Sequence, residues 1–311
     1  MTGKYATEQL GADAEGIGRA AAILREGGLV AIPTETVYGL AARADSEAAV
    51  ARIYTAKGRP GFNPLIVHVA SQERATQFAT FDAPARELAE RHWPGPLTLV
   101  LPALPDNGLA PAVSAGLPTI ALRCPEHPVM RAVLTELDLP LAAPSANRSG
   151  SVSPTTAAHV LATLDGRVDA VINGGECQGG LESTIAAVRG DGRIEELRPG
   201  PITFASGRHL RTDHPIEAPG QLASHYSPGK PLRLNATGGA DDEFLIGFGT
   251  VEGDCGLSPS GDLVEAASRL YACLHEAAAS DRPRIAVAPV PNEGIGRAIN
   301  DRLRRAAVPV D

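Results

Sequence analysis

The first half of the chain alternates short apolar runs with amphipathic stretches, and each run stops at polar or turn residues. Leu29 to Ile32 reads as a buried strand, halted by Pro33 and followed by Thr34, Glu35 and Thr36. Ser46 caps a helix with Val50, Ile53 and Tyr54 on one face, which ends in the basic turn Lys57-Gly58-Arg59-Pro60. Asn63-Pro64 opens a second strand, Leu65 to Val69, in which His68 points away from Val67 and Val69. Residues 1 to 12 carry no such pattern and are expected to fray, before Asp13 caps a helix that ends at Gly27-Gly28. A helix from Pro84 to His92 and a strand from Leu97 to Leu101 come next. A strand from Thr119 to Arg123, a helix from His127 to Leu137 and a short strand from Leu139 to Ala143 follow. Ser153-Pro154 supplies an N-cap and a first-turn proline for a helix running to about Leu164. Strands follow at Val168–Ile172, Ile185–Val188 and Ile194–Leu197, and the pairs Gly174-Gly175 and Gly179-Gly180 bracket a loop expected to be flexible.

From His209 to Pro231 the pattern lapses: few apolar residues, four prolines and no period, as in an interdomain linker. Alternation resumes with strands at Leu232–Leu234, Phe244–Phe248 and Ile285–Ala288 and helices at Leu263–Ala279 and Gly294–Ala306. This second set predicts a small α/β unit with a parallel sheet. Gly294-Ile295-Gly296 is only a fragment of a dinucleotide fingerprint and reads as a helix start.

The 311 residues suffice for roughly two domains, and a 43% hydrophobic content supports a sizeable core. A net charge of −8 argues against a global nucleic-acid footprint, although Lys57, Arg59, Arg123 and Arg198 are candidates for a local basic pocket. Cys124, Cys177, Cys255 and Cys273 form no metal-binding spacing and are expected to be buried free thiols in a reducing cytoplasm. The first residues lack the apolar segment of a signal peptide, and no apolar run approaches ~18 residues, so a membrane span is not expected.

Several polar residues stand at strand and helix ends, where open α/β sheets bind ligands. Each also has a plainer reading. His68 fits either a core histidine bonded to a carbonyl or a site residue. Arg123 fits a solvated strand end or a bidentate anion clamp. Ser145-Ala146-Asn147 fits an ordinary turn or a close approach to an anion. Ser153 fits a plain cap or a phosphate site at a helix start. Ser183-Thr184 fits an exposed turn, Arg198 a surface arginine, and Tyr226 in Ser224-His225-Tyr226-Ser227-Pro228 a passive tether. No Walker A sequence and no catalytic serine or cysteine signature is present.

PTETVYGLAA, KGRP, NPLIVH, WPGPLTLVL and the pairs Lys57-x-Arg59 and Ser145-x-Asn147 resemble the YrdC-like family of threonylcarbamoyl-AMP synthases. Arg198-Pro199-Gly200, the His-Tyr segment at 225–226 and the ending GIGRAINDRLRRAA resemble its longer, two-domain branch. The resemblance implies an α/β fold: a YrdC-like twisted open sheet domain (1–208), a linker over the active site (209–231) and a small Rossmann-like α/β domain (232–311). It implies a cytoplasmic nucleotidyltransferase that joins L-threonine, bicarbonate or CO2 and ATP, with Mg²⁺ accompanying ATP. The products are threonylcarbamoyl-AMP and pyrophosphate, the first step toward N6-threonylcarbamoyladenosine in tRNA.

By motif position, the resemblance makes Lys57 and Arg59 the catalytic electrostatic pair. It sets Thr36, His68, Arg123, Ala143 and Ser183 around threonine. Lys57, Arg59, Asn63, Thr119, Ser145, Asn147, Ser153, Arg198 and Tyr226 then surround ATP, with no protein metal ligands. Downstream tRNA threonylcarbamoyl transferase proteins are implied as partners, while direct contact with tRNA stays open. Three rivals stand beside this reading: an RNA-binding module without turnover, a carbamoyl-transfer maturation enzyme, and a C-terminal partner-docking module. The absence of zinc-finger spacing and acylphosphatase segments opposes the second.

Overall fold

The computed structural model describes residues 6–204, 208–209, 217–219 and 225–308. In chain order the elements are β1 (Glu8–Gly11), α1 (Ala14–Arg25), β2 (Val30–Ile32), β3 (Gly39–Arg43), α2 (Glu47–Lys57), β4 (Ile66–His68), α3 (Gln72–Ala75) and α4 (Ala83–His92). They continue with β5 (Leu97–Pro102), β6 (Thr119–Arg123), α5 (Pro128–Leu137), β7 (Leu141–Ala142), α6 (Ala157–Leu164), β8 (Ala170–Asn173), β9 (Thr184–Val188), β10 (Ile194–Arg198) and β11 (Arg208–His209). The last third holds β12 (Leu232–Arg233), β13 (Glu243–Gly247), β14 (Cys255–Gly256), α7 (Leu263–Ala279), β15 (Arg284–Val287) and α8 (Gly296–Ala306).

Local chemistry sets the helix ends. Asp13, Ser46, Asp82 and Asp262 each accept a backbone N–H of the first turn, and Gly58 closes α2 in the left-handed region at φ 61°. β1 to β11 form one mixed eleven-stranded sheet in the order β1-β8-β2-β3-β7-β4-β6-β5-β9-β10-β11. The last four strands form a separate sheet, β12-β15-β13-β14, parallel throughout as the pattern predicts.

Side-chain alternation gives the large sheet two faces. Leu29, Ala31, Leu40, Ala42, Val67 and Val69 pack on one side with α2, α4 and α6 residues such as Ile53, Leu88 and Val160. Val30, Ile32 and Ala41 pack on the other with Leu24 of α1 and Met130 of α5. These two helices cover only part of that second face. Farther along it, Ile66, Val100, Ala121, Ile185, Ala187 and Leu197 form an apolar floor touched by Ala218 of the linker segment. The cavity described below opens where the helical cover stops.

Four expectations are corrected. Residues 8–11, expected to fray, form an edge strand parallel to β8, because Leu10 is buried against α1; residues 1–5 lie outside the described residues. Ser153 does not cap a helix: Thr156 caps α6, and the Ser153 hydroxyl is taken by Glu182 at 2.5 Å. The glycine loop is pinned rather than flexible. Gly179 N–H donates to the Glu35 carbonyl at 2.8 Å, and Gly180, at φ +64°, lies so close to α7 that a Cβ there would stand 2.4 Å from the Ser268 backbone. Cys255 and Cys273 are not free thiols but a disulfide joining β14 to α7, with Cα atoms 5.8 Å apart; Cys124 and Cys177 are buried and free. Much of the expected linker, 210–216 and 220–224, lies outside the described residues.

Candidate active site

Strands β4 and β6 run parallel with Ile66 opposite Ala121 and His68 opposite Arg123. The period of two puts Thr119, Ala121 and Arg123 on the same face as Ile66 and His68. One end of this strip carries His68 and Arg123; the other, about 13 Å away along the strand, carries Asn63 and Thr119. An open cavity of about 520 Å³, counting the solvent at its mouth, lies over the strip. Of the residues named from sequence, Thr36, Arg59, His68, Arg123, Ala143, Ser145, Ser183, Arg198 and Tyr226 line it. They come from eight separate stretches of chain, so the site exists only in the folded protein.

Arg123 anchors the end nearest His68. Its Nη2 lies 2.6 Å from Glu35 Oε1, Nη1 donates to Thr36 Oγ1 at 3.1 Å, and Nε donates to the Gly95 carbonyl at 3.3 Å. Burial alone would raise the Glu35 carboxyl, but the Arg123 charge and hydrogen bond, helped by backbone N–H groups, bring it below the ordinary range. Thr34 and Thr36 share a hydroxyl contact at 2.8 Å, which fixes both side chains. His68 is held neutral, pushed down to about 3 by burial and by the neighbouring Arg123 charge. Its Nδ1 is buried without a partner, so the carbonyl bond expected of a core histidine is not made there.

The other end is cationic. Arg59 is pinned by its own loop, with Nε donating to the Asn63 carbonyl at 3.2 Å and Nη2 to that of Pro64 at 2.8 Å. Burial lowers its pKa to about 10, which leaves it charged at neutral pH. A second guanidinium, Arg198, stands three strands across the sheet, level with Arg123 through Thr98 and Ile185; it donates from Nε and Nη2 to the Ser183 carbonyl and reaches Ser183 Oγ at 3.1 Å, while Thr98 Oγ1 stands 2.7 Å from the same hydroxyl. The Asn63 side chain is 1% exposed, yet neither its amide nitrogen nor its amide oxygen has a partner. An orphaned buried amide beside the Arg59 guanidinium marks a place prepared for a polar ligand.

Five of the named residues do not line the cavity: Lys57, Asn63, Thr119, Asn147 and Ser153. Lys57 Nζ stands 2.5 Å from the carbonyl oxygens of both Ser145 and Asn147 and 3.5 Å from Asn147 Oδ1. Burial and the adjacent Arg59 pull its pKa well below the ordinary ammonium value, while the ring of oxygens solvates the charge. Asn147 Nδ2 donates to the carbonyls of Arg148 and Ser151, so this side chain builds the turn that presents Ser145. Thr119 remains half exposed at the start of β6.

Sequence reasoning missed Glu182, which lines the cavity and gathers four donated contacts: Ser153 Oγ at 2.5 Å, Tyr271 Oη at 3.0 and 2.9 Å, and Arg302 Nε at 2.9 Å. Burial opposes its charge, but Arg302 and Arg198 overcome that and hold the carboxyl down near 2. A signal for Arg302 existed: it falls inside the apolar stripe Ala298, Ile299, Leu303, Ala306 of α8, where a charge needs a buried partner. Glu182, next to the Ser-Thr pair, had no comparable mark.

Among the described residues no cluster of three or more His, Cys, Asp or Glu side chains is placed to hold a metal ion, and both carboxylates at the cavity are committed to arginines. None of the described helices is long and apolar enough to cross a membrane.

The family model described as "Telomere recombination" (Sua5, YciO, YrdC) matches residues 22–200, and the one described as "Threonylcarbamoyl-AMP synthase, C-terminal domain" matches residues 184–308. Together they define an α/β protein of the two-domain Sua5 type. The chain belongs to the Sua5/YciO/YrdC family, in the branch that carries the Sua5 C-terminal domain. It is 40% identical to the threonylcarbamoyl-AMP synthase of Bacillus subtilis, over 97% of this chain and 95% of that protein. The crystal structure of Pyrococcus abyssi Sua5 complexed with L-threonine superposes with a TM-score of 0.88 at 34% identity, covering 97% of this chain and 98% of that one. Full-length HypF shares only the fold: TM-score 0.53 at 21% identity, over 61% of this chain and 30% of that one.

Proposed function

We propose that this chain is an L-threonylcarbamoyladenylate synthase, a nucleotidyltransferase that converts L-threonine, bicarbonate or CO2 and ATP into threonylcarbamoyl-AMP and pyrophosphate. The observation that carries the reading is the two-ended cavity. One end offers a clamped arginine, a fixed threonine hydroxyl and a neutral histidine; the other offers the buried Arg59 guanidinium, with the unpartnered Asn63 amide next to it outside the lining and the Arg198 guanidinium across the sheet. The first set suits an amino acid, with Arg123 for the carboxylate and Thr36, His68, Ala143 and Ser183 around the rest. The second suits a triphosphate, with Arg59, Asn63, Arg198, Ser145 and Tyr226 around it and Thr119 at the far end of the strip.

The chemistry needs no side-chain nucleophile. The threonine amine adds to CO2 and loses a proton, giving a carbamate. A carbamate oxygen attacks the α-phosphorus of ATP, and the bond to the β-phosphate oxygen breaks with release of pyrophosphate. The chain contributes position and charge: it holds two anions in line, and Arg59 neutralises the phosphates as the leaving group forms. Lys57 serves from behind, tethering the Ser145–Asn147 turn against the nucleotide, and the Asn147 amide completes the turn's support through the Arg148 and Ser151 carbonyls, while Ser153 holds Glu182. Mg²⁺ enters as part of the MgATP substrate on phosphate oxygens, since Glu35 and Glu182 are already neutralised by arginines. Pro219, His225 and Tyr226 on the cavity wall suit a linker that keeps water from a labile product. In this reading the product passes in the cytoplasm to proteins that transfer the threonylcarbamoyl group to tRNA.

Pyrophosphate release tests this directly. It is expected to require ATP, Mg²⁺, threonine and bicarbonate together. Release that ignores threonine, from folded protein, would overturn the reading in favour of RNA binding.

A further inference from the structure

The C-terminal unit reaches the cavity through buried side chains. On α7, Ser268, Tyr271 and His275 recur at i, i+3 and i+7, one face of the helix. Ser268 meets the Gly180 backbone, Tyr271 donates to Glu182, and His275 Nε2 lies 3.0 Å from the Ser153 carbonyl. On α8, Arg302 is fully buried; its Nε donates to Glu182 Oε2 at 2.9 Å, and its guanidinium lies 5.5 Å from the centre of the Tyr226 ring. Tyr226 also stacks on Tyr271, with ring centres 5.7 Å apart. At φ 64° its backbone is in the left-handed region that a bulky residue enters only when its surroundings enforce it. The enforcing contacts are visible on both sides: His225 N–H donates to the Arg305 carbonyl of α8, and Ser227 N–H to the Gly150 carbonyl.

We infer that Arg302 and Tyr271 are positioning residues for the nucleotide half of the reaction, acting through Glu182 and Tyr226. Glu182 is the only cavity-lining residue among those described whose carboxylate is held by both helices of the C-terminal unit. Its neighbour Ser183 lines the cavity, and its hydrogen-bond partner Ser153 stands behind that wall. Tyr226 contacts both the Arg302 guanidinium and the Tyr271 ring, so the same pair fixes the wall that closes on ATP. The side chains of Arg123, Thr36 and Glu35 bond to one another and not to Glu182, Tyr271 or Arg302, so the carboxylate clamp for threonine depends on this network less than the nucleotide half does. The C-terminal unit thereby sets how well the site holds ATP without supplying a group to the chemistry.

The inference rests on the synthase reading, and wild-type protein separates the two: threonine-dependent pyrophosphate release from wild type must be present before the variants are read. Tyr271→Phe keeps the ring stack and removes one hydroxyl; Arg302→Met removes the charge and the contact with Tyr226. Both are expected to raise the KM for ATP by about tenfold or more, the effect of losing a hydrogen bond to a charged group, with a smaller change in kcat. The thermal shift produced by threonine alone is expected to match wild type, and that produced by ATP to shrink. A purely structural role would lower the melting temperature and the active fraction while leaving the KM for ATP unmoved. That result in Tyr271→Phe overturns the inference, as does an equal loss of threonine and ATP affinity. If Arg302→Met does not fold, Tyr271→Phe decides alone.

Discussion

Lys57 Nζ lies 2.5 Å from the carbonyl oxygen of Asn147, ninety residues farther along the chain. The contact joins the Lys-x-Arg pair at the end of α2 to the Ser-x-Asn turn after β7, and so fixes the distance between Arg59 and Ser145 across the cavity. A flexible ammonium can satisfy three acceptors at once, which a planar guanidinium of larger span cannot do in the same space.

Replacing Lys57 is therefore expected to damage position before charge. Lys57→Met leaves the Asn147 carbonyl without its ammonium partner and the Ser145 carbonyl with the Asn147 N–H alone, with an expected loss of about 2 kcal/mol of stability. Turnover is expected to fall more than tenfold as the turn shifts. Urea unfolding and pyrophosphate release on the same samples check both. Unchanged stability would mean that water takes the place of the ammonium.

Arg123→Lys is expected to weaken threonine binding by about 10- to 100-fold, because a point charge cannot reproduce the fork that grips a carboxylate while bonding Glu35. The KM for ATP is expected to stay within about twofold. Calorimetric titration with threonine measures the first and steady-state kinetics the second.

Asn63 gives the opposite signature. Its amide has no partner in the protein, so Asn63→Ala is expected to leave stability unchanged or raise it by up to about 1 kcal/mol. The KM for ATP is expected to rise by about tenfold. Loss of stability without a change in KM would contradict a ligand role.

The sequence pattern carried most of the element boundaries, and the reason is local: caps such as Asp13 and Ser46, the glycine ends of helices and the period-two run Thr119–Arg123 act within a few residues. It carried the cavity residues only through motif resemblance. It missed β3, whose run Gly39–Arg43 is too rich in alanine to mark a strand and is defined by pairing with β2 and β7. It placed the helix start at Ser153, because Ser-Pro is a strong local signal; the claim of Glu182 on that hydroxyl comes from 29 residues away. The Cys255–Cys273 bond and the Glu182–Arg302 pair likewise join segments that no periodicity links.

Acid is expected to destabilise the fold through its buried histidines. His68 and His225 are each held down to about 3, in both cases chiefly by burial. The unfolded chain binds these protons near pH 6.5 while the native state refuses them until far lower. Their contribution is thus complete above pH 6.5 and is lost as pH falls toward 3, at about 1.4 kcal/mol per pH unit for each histidine. Urea unfolding between pH 7 and 4.5 reads this slope, and His68→Leu is expected to flatten it.

The central claim is that bicarbonate carbon becomes part of an adenylate made with threonine. Mass analysis of the nucleotide product formed from isotopically heavy bicarbonate, threonine and MgATP tests it most directly. The expected product is an adenylate heavier than AMP by a threonylcarbamoyl group that carries the heavy carbon. Plain AMP, an adenylate without the label, or no product from folded protein would contradict it.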